Sequence, residues 1–435
     1  MTRILLIGQC TLHVGRMEFG NIGNYYIIEP LVRELHRAFP GAEVRTTLQM
    51  SEGFCARERV TVLPMELYYG WTGRDEAVAR DELALARAFA ATGALPRTTP
   101  FIDEVLAADV VIDFSGDIWG DNADLLGPAR FFVGCVKDRV AQLLGKPTFM
   151  IAGSPGPFGD PVTLALAQET FAGFTLVTDR EAASRPLLAA QGFRTDHVHD
   201  LACPAFCFEP LRGPEADALA AREGLAERDR PVVGFVLCGW NFTQGPFDRW
   251  PRDDAEYAPF ADAVLHLARH HGMRVVLLSH SNGFTLPAPP FHLVQGRDYP
   301  VIKQLQRVVA ARDPGADVVA LDGIYSAWET KALIGRFDLL VSGRIHAAVA
   351  GLSQAVPTVI IDYGHEPKAH KLRGFADVAG VGHLVADPAV PRELIARIDD
   401  AVRGRAAIAA ALRERIPRVQ ALARRNVELV AEALR

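Results

Sequence analysis

Short apolar runs, separated by longer amphipathic stretches, recur along most of the chain. Ile4 to Ile7, Ala108 to Phe114, Lys146 to Ala152 and Thr175 to Thr178 are near-continuous apolar runs of strand length, and Val44 to Leu48 reads as a further strand. Unbroken rather than alternating hydrophobicity means that both faces of a strand are covered, as in a parallel sheet. Between these runs the pattern predicts helices over Asn24 to Phe39, Arg80 to Thr92, Phe131 to Leu144 and Glu181 to Gln191. After Pro231 the alternation restarts. Strands are expected at Val232 to Val236, Arg274 to Leu278, Asp317 to Leu321, Leu339 to Val341 and Thr358 to Ile361, with helices at Asp253 to His271, Pro300 to Arg312, Ser326 to Ile334 and Ala347 to Ser353. The predicted class is α/β, with two doubly wound, Rossmann-like domains. The Pro-, Gly- and Glu-rich stretch from Glu209 to Asp229 marks the boundary, giving domains over 1–210 and 211–390 and a helical segment over 391–435 that packs across them. The arginines of that tail also permit a membrane-surface helix; a packing helix with a solvated face is the plainer account.

Composition narrows the function classes. The 435 residues are 49% hydrophobic and 23% charged, ordinary for a globular protein, and the net charge of −6 argues against a general nucleic-acid binder. The six cysteines are scattered without C-x-x-C pairs, as expected of reduced thiols in the cytoplasm. The apolar run at the N-terminus is too short for a signal peptide, and no run of about 18 apolar residues predicts a membrane span. The expected location is cytoplasmic; peripheral association with the inner face of a membrane and a homo-oligomeric state stay open.

Against this acidic background one region gathers cations. The run Phe337-Asp-Leu-Leu-Val-Ser-Gly-Arg344-Ile345-His346 reads as a buried strand entering a loop, with an apolar helix behind it. A planar guanidinium fork and a titratable imidazole at a strand's carboxyl end suit an anion together with a proton donor. The unpaired amides of the following helix add to the same field. Lys368, Lys371 and Arg373 follow within 30 residues. In the first domain, Asp113, Asp117 and Asp121 crowd the end of one strand, where carboxylates orient sugar hydroxyls, act as a base, or simply cap backbone. Gly20-Asn21-Ile-Gly-Asn24 lets a ligand approach backbone amides at a helix start, or is only a capped turn. Neither a dinucleotide fingerprint nor a P-loop is present, and no histidine pair has H-E-x-x-H spacing. His271 closes a helix C-terminus, which favours a structural role. No metal is expected.

Taken together, these pieces resemble the polysaccharide pyruvyl transferase family, over most of the chain from Gly8 to about Phe375. Ser342-Gly-Arg-Ile-His-Ala347 carries the resemblance most strongly. Val356-Pro-Thr-Val, Tyr363 with Lys368, Gly20-Asn-Ile-Gly, Asp179-Arg-Glu-x-x-Ser184 and Pro204-Ala-Phe206 support it. The resemblance implies two Rossmann-like domains facing across a cleft (GT-B-like), the first on the acceptor side and the second on the donor side. It implies transfer of pyruvate from phosphoenolpyruvate, as co-substrate and without another cofactor, to hydroxyls of a sugar or glycoconjugate acceptor in cell-surface polysaccharide synthesis. By similarity, Arg180, Arg344, Ile345, His346 and Lys368 are the donor-binding set, and Asn21, Asn24, Asp113 and Asp121 face the acceptor. The chain departs from the pattern at Asn24, where an Asp is common, at Ser115-Gly-Asp117, which replaces a glycine run, and at Cys203, where Asp often precedes Pro-Ala-Phe.

The chemistry suits the residues independently. Arginines and a lysine bind a carboxylate and a phosphate. An imidazolium, His346, protonates the methylene carbon, Asp117 aids the attacking hydroxyl, and the cations stabilise departing phosphate. Cys10 and His365 are the next candidates for the acid. Two other readings stand beside this one: a GT-B glycosyltransferase with a nucleotide-sugar donor, and a carbohydrate-binding relic of the fold without turnover.

Overall fold

The computed structural model describes residues 2–9, 21–245, 249–284, 293–363, 369–390 and 392–435. Cys10, Gly20, His365 and Lys368 lie outside the described residues. The chain forms two compact units. One gathers Ile28–Pro204 with the N-terminal strand and Leu422–Arg435; the other gathers Ala205–Ala421 with the residues leading up to Ile27.

In the first unit the strands are β1 (Arg3–Ile7), β2 (Glu43–Thr46), β3 (Val60–Val62), β4 (Val110–Asp113), β5 (Thr148–Gly153), β6 (Leu176–Asp179) and β7 (Val198–Asp200). They form one seven-stranded sheet in the order β3-β2-β1-β4-β5-β6-β7. Every pairing is parallel; Ile4, for example, sits opposite Val44 on one side and Val110 on the other. Burial on both faces explains the unbroken apolar runs, since all residues of β4 and β5 are buried. The helices Asp75–Thr92 and Arg130–Leu143 cover one face through Leu83, Ala86, Val133, Val136 and Val140, packed on Leu5 and Ile7 of β1. A second cluster is aromatic, with Trp119 edge-on to Phe131 at 5.4 Å and to Phe158 at 5.8 Å. The order reverses between β1 and β4, and the carboxyl ends of two such strands are where α/β sheets take ligands. Here the two ends touch. Gly8 has φ +153°, and a Cβ on it would fall 2.0 Å from the Phe114 carbonyl oxygen, so only glycine fits.

The second unit repeats the plan with β8 (Val232–Val236), β9 (Arg274–Leu277), β10 (Asn282–Phe284), β11 (Leu293–Gln295), β12 (Val318–Ala320), β13 (Leu339–Ser342), β14 (Thr358–Ile361) and β15 (Val385–Ala386). Six of these make a parallel sheet in the order β12-β9-β8-β13-β14-β15, and β10 and β11 form a separate antiparallel ribbon. The reversal falls between β8 and β13, so the Arg344 segment leaves the sheet at its switch point. Two expectations change in detail. The helix behind β13 spans Ile345–Leu352, so His346 stands in its first turn rather than in a loop. The helix expected over Asp253 to His271 is a 3₁₀ turn, the α-helix Ala258–Leu265 and a π-helical turn over His266–His270.

The tail forms the helices Glu393–Arg403 and Arg405–Ala433. Its apolar stripe is covered by protein, with Ile398, Leu412, Val419, Val427 and Val430 all buried. Among the described residues no helix is long and apolar enough to cross a membrane.

Candidate active site

Local chemistry fixes the turn after β13. The Ser342 hydroxyl donates to the Arg344 carbonyl oxygen (2.9 Å) and accepts from the Arg344 N–H (3.3 Å). Asn241 ties the neighbouring strand ends together. Its Nδ2 donates to the carbonyls of Gly343 (3.2 Å) and Ile361 (3.1 Å), and its Oδ1 accepts from the Cys238 N–H (2.9 Å). This fully buried amide thus buckles the carboxyl ends of β8, β13 and β14. Gly343 must be glycine, because a Cβ there would lie 1.9 Å from Asn241 Oδ1.

Arg344 occupies the N-cap position with extended backbone, φ −116° and ψ 128°. Its Nε and Nη2 grip Asp298 Oδ2 and Oδ1 at 3.0 and 2.5 Å, a bidentate pair with a carboxylate that is itself buried. Burial disfavours the guanidinium charge, but Asp298, helped by Cys238, outweighs it and holds the group protonated above its ordinary value. Among the described residues Arg344 Nη1 has no hydrogen-bond partner, and the side chain keeps 20% exposure. The result is an oriented cation whose plane is set from behind.

His346 is the one residue of its helix that is not buried. The amides of that first turn have no partners inside the helix. Gly23 packs directly on the imidazole: a Cβ there would fall 2.3 Å from His346 Nδ1. The turn bearing Gly23 is held by Asn21, whose Oδ1 accepts from the Gly23 N–H (3.0 Å) and whose carbonyl accepts from the Asn24 N–H (3.0 Å). Asn21 also bridges to Ser281 in antiparallel fashion. The sequence placed Asn21 and Asn24 in the first domain; the structure groups them with the unit that carries Arg344 and His346. Ile345 is buried at the first helical position, and Phe375 stands edge-on to His346 at 6.0 Å.

Sequence reasoning passed over His280, which follows the carboxyl end of β9. It is 2% exposed, lies edge-on to Tyr26 at 5.4 Å, and its Nε2 has no hydrogen-bond partner among the described residues. Burial, then the positive neighbours His346 and Arg344, push its pKa well below the ordinary histidine value, so it is a neutral imidazole. The signal that found Arg344, a polar side chain just past a buried strand, applies equally to Ser279-His280-Ser281.

The switch point of the first sheet is acidic. Asp113 is fully buried and accepts from the Ser115 hydroxyl at 2.8 Å. Burial pushes its pKa up to about 7, against the Ser115 hydrogen bonds. Its neighbour Asp138, bonded by Trp119 Nε1 at 3.0 Å, is raised by burial and by Asp113. Asp117 is more open, at 36% exposure, and Arg180 Nη2 lies 3.4 Å from its Oδ1. Arg180 is buried at the end of β6, with its Nε donating to the Ser154 hydroxyl at 2.9 Å. Gly116, at φ +61°, lets the loop lie against this guanidinium. Two residues expected on different substrates, Arg180 and Asp117, are therefore an ion pair. Asp121 opens a 3₁₀ turn and accepts from the Gly159 N–H, which ties this turn to the loop after β5.

Residues 21–365, which include Arg344, His346, His280, Asp113, Asp117 and Arg180, match the model of the polysaccharide pyruvyl transferase family. The chain belongs to that family. A curated relative is the amylovoran biosynthesis protein AmsJ of Erwinia amylovora, 23% identical over a 382-residue alignment that covers 84% of each chain. The solved structure of HepE from Anabaena, in complex with UDP and glucose, superposes with a TM-score of 0.57 at 14% identity, covering 99% of this chain and all of that one. A glycosyltransferase from Rickettsia africae gives 0.60 at 9% identity, covering all of this chain and 98% of that one. Those likenesses show the fold, two Rossmann-like domains of the GT-B type. Family membership makes the protein a transferase, of the class that carries out pyruvyl transfer in polysaccharide biosynthesis.

Proposed function

We propose that this pyruvyl transferase family member takes its pyruvyl group from phosphoenolpyruvate and delivers it to hydroxyls of a sugar or glycoconjugate. The observation that carries the reading is Arg344, locked by Asp298 at a helix N-terminus beside His346. Phosphoenolpyruvate is a small dianion or trianion, and such a ligand matches an oriented guanidinium and the positive end of a helix dipole. The His346 imidazolium gives its proton to the methylene carbon, which becomes the methyl group and leaves C2 electrophilic. A sugar hydroxyl bonds to C2 and its proton passes to a carboxylate, Asp117 in this reading. The C2–O bond to phosphate then breaks, the phosphate leaves on the same cations, and a second hydroxyl closes the ketal. His280, neutral and buried behind this pair, keeps a third positive charge out of the pocket. The nucleotide-sugar reading rests on fold alone.

The test is to incubate the protein with phosphoenolpyruvate and candidate acceptors in deuterated water. One deuterium in the product's methyl group and release of one phosphate per transfer are expected. Transfer from phosphoenolpyruvate with no deuterium in the methyl group would overturn the protonation step, and transfer only from a nucleotide sugar would overturn the donor.

A further inference from the structure

We propose that His266, His270, His271 and Asp399 form a binding site for one divalent transition-metal ion of the zinc class. The site lies in the second unit, where the helix before β9 ends, on the edge of the sheet opposite to Arg344. It is therefore a structural clasp and not part of the transfer chemistry.

Convergence comes first. One ligand atom from each of the four residues lies within 4.8 Å of all the others. His266 Nε2 and His271 Nε2 both point at the same oxygen, Asp399 Oδ1, each at 2.7 Å. The His270 ring stacks on His266 at 4.7 Å and stands edge-on to His271 at 4.8 Å. A lone helix-capping histidine needs no such company.

Backbone geometry adds an independent observation. Residues five apart diverge around an ordinary α-helix. Here the chain makes a π-helical turn over His266–His270, closed by the His271 N–H to the His266 carbonyl oxygen at 3.3 Å. The wider turn brings 266 and 271 to one side, and such single turns are often kept at functional sites. Gly272, at φ +62°, then reverses the chain into β9.

Donor chemistry selects the ligand. Three imidazoles and a carboxylate, without thiolate, suit Zn²⁺, with Cu²⁺ and Ni²⁺ as competitors. Four protein ligands leave a tetrahedral ion no open position, the pattern of a structural site. Asp399 Oδ1 serves two of the imidazoles, whereas one divalent ion would accept a lone pair from all three and from the carboxylate as well. The ion would pin the helix Glu393–Arg403 to the helix that precedes β9.

The test uses the full chain, stripped with chelator and titrated with CoCl₂. One Co²⁺ per chain, with the visible absorption of a tetrahedral nitrogen and oxygen field, is expected, displaced by one equivalent of ZnCl₂. Zn²⁺ should raise the melting temperature, reversibly with chelator. His270 is exposed, so His270→Gln keeps the fold, and it should weaken Co²⁺ binding by at least about tenfold, the low end of losses seen when even an indirect metal contact is removed. Asp399→Asn should do the same, while Asp400→Asn, one residue along the helix, should leave binding unchanged. Absence of stoichiometric Co²⁺ uptake, or uptake insensitive to both His270→Gln and Asp399→Asn, would overturn the proposal and leave a hydrogen-bonded helix contact.

Discussion

The two sheets present the same topological feature with opposite chemistry. At the β1–β4 switch point the chain places Asp113 and Asp138 in the interior, and the more open Asp117 pairs with the buried guanidinium of Arg180. At the β8–β13 switch point the partly exposed Arg344 is gripped by the buried carboxylate of Asp298, and His346 follows in the first turn of the helix. In each, a buried partner of opposite sign orients the exposed group. Topology thus sets where such an edge forms, and the few residues after each strand set its charge.

That contrast is sharpened first by His346→Gln. Turnover should fall at least ~10²-fold, the low end for a general acid, while phosphoenolpyruvate still raises the melting temperature. A variant that turns over near the wild-type rate would move the acid elsewhere in the chain.

Asp298→Asn comes next. It removes the buried carboxylate that fixes Arg344, and should cost about 3 kcal/mol in denaturant unfolding, the low end for breaking a buried pair because Arg344 is partly solvated. An unchanged midpoint would mean that Arg344 is oriented by something other than Asp298.

The two edges can then be separated directly. Arg344→Lys should weaken phosphoenolpyruvate binding by about tenfold, since a point charge loses the planar fork, and Asp117→Asn should leave that binding intact. If the ligand-induced melting shift follows Asp117 instead, the assignment of the basic edge to the donor fails.

The smallest effect concerns pH. The Asp113 pKa is raised to about 7 in the folded chain. The folded state therefore binds the extra proton, and the stability it brings is complete below the unfolded carboxylate pKa and lost as pH rises through about 7. Relative to Asp113→Asn, the wild type should lose on the order of 1 kcal/mol between pH 5 and 8, a modest figure because Asp138 shares the same pocket. Parallel stability curves for the two proteins would show that Asp113 does not titrate there.

Much of this fold was legible in the sequence because strands buried on both faces must be apolar throughout. Val232–Val236 and Thr358–Ile361 begin and end where the pattern places them. The edge strands Val60–Val62, Val198–Asp200 and Val385–Ala386 escaped, since two or three residues leave no periodicity to read. Helix starts were less secure, and His346 moved from loop to helix because Ser342 tightens the turn before it. Arg344 and His346 could be singled out because they lie together in sequence at a strand end. What the sequence alone determined, then, is the alternation of elements, the two-sheet plan and the residues that leave each strand's carboxyl end. Only the tertiary structure decided their partners. Asp298 reaches Arg344 from 46 residues away and Asn241 reaches Gly343 from 102. Gly23 meets His346 across most of the chain, and Asp399 meets three histidines more than 120 positions before it. Such pairings follow from strand order and helix register, which bring distant side chains within a few ångströms; no local pattern encodes them.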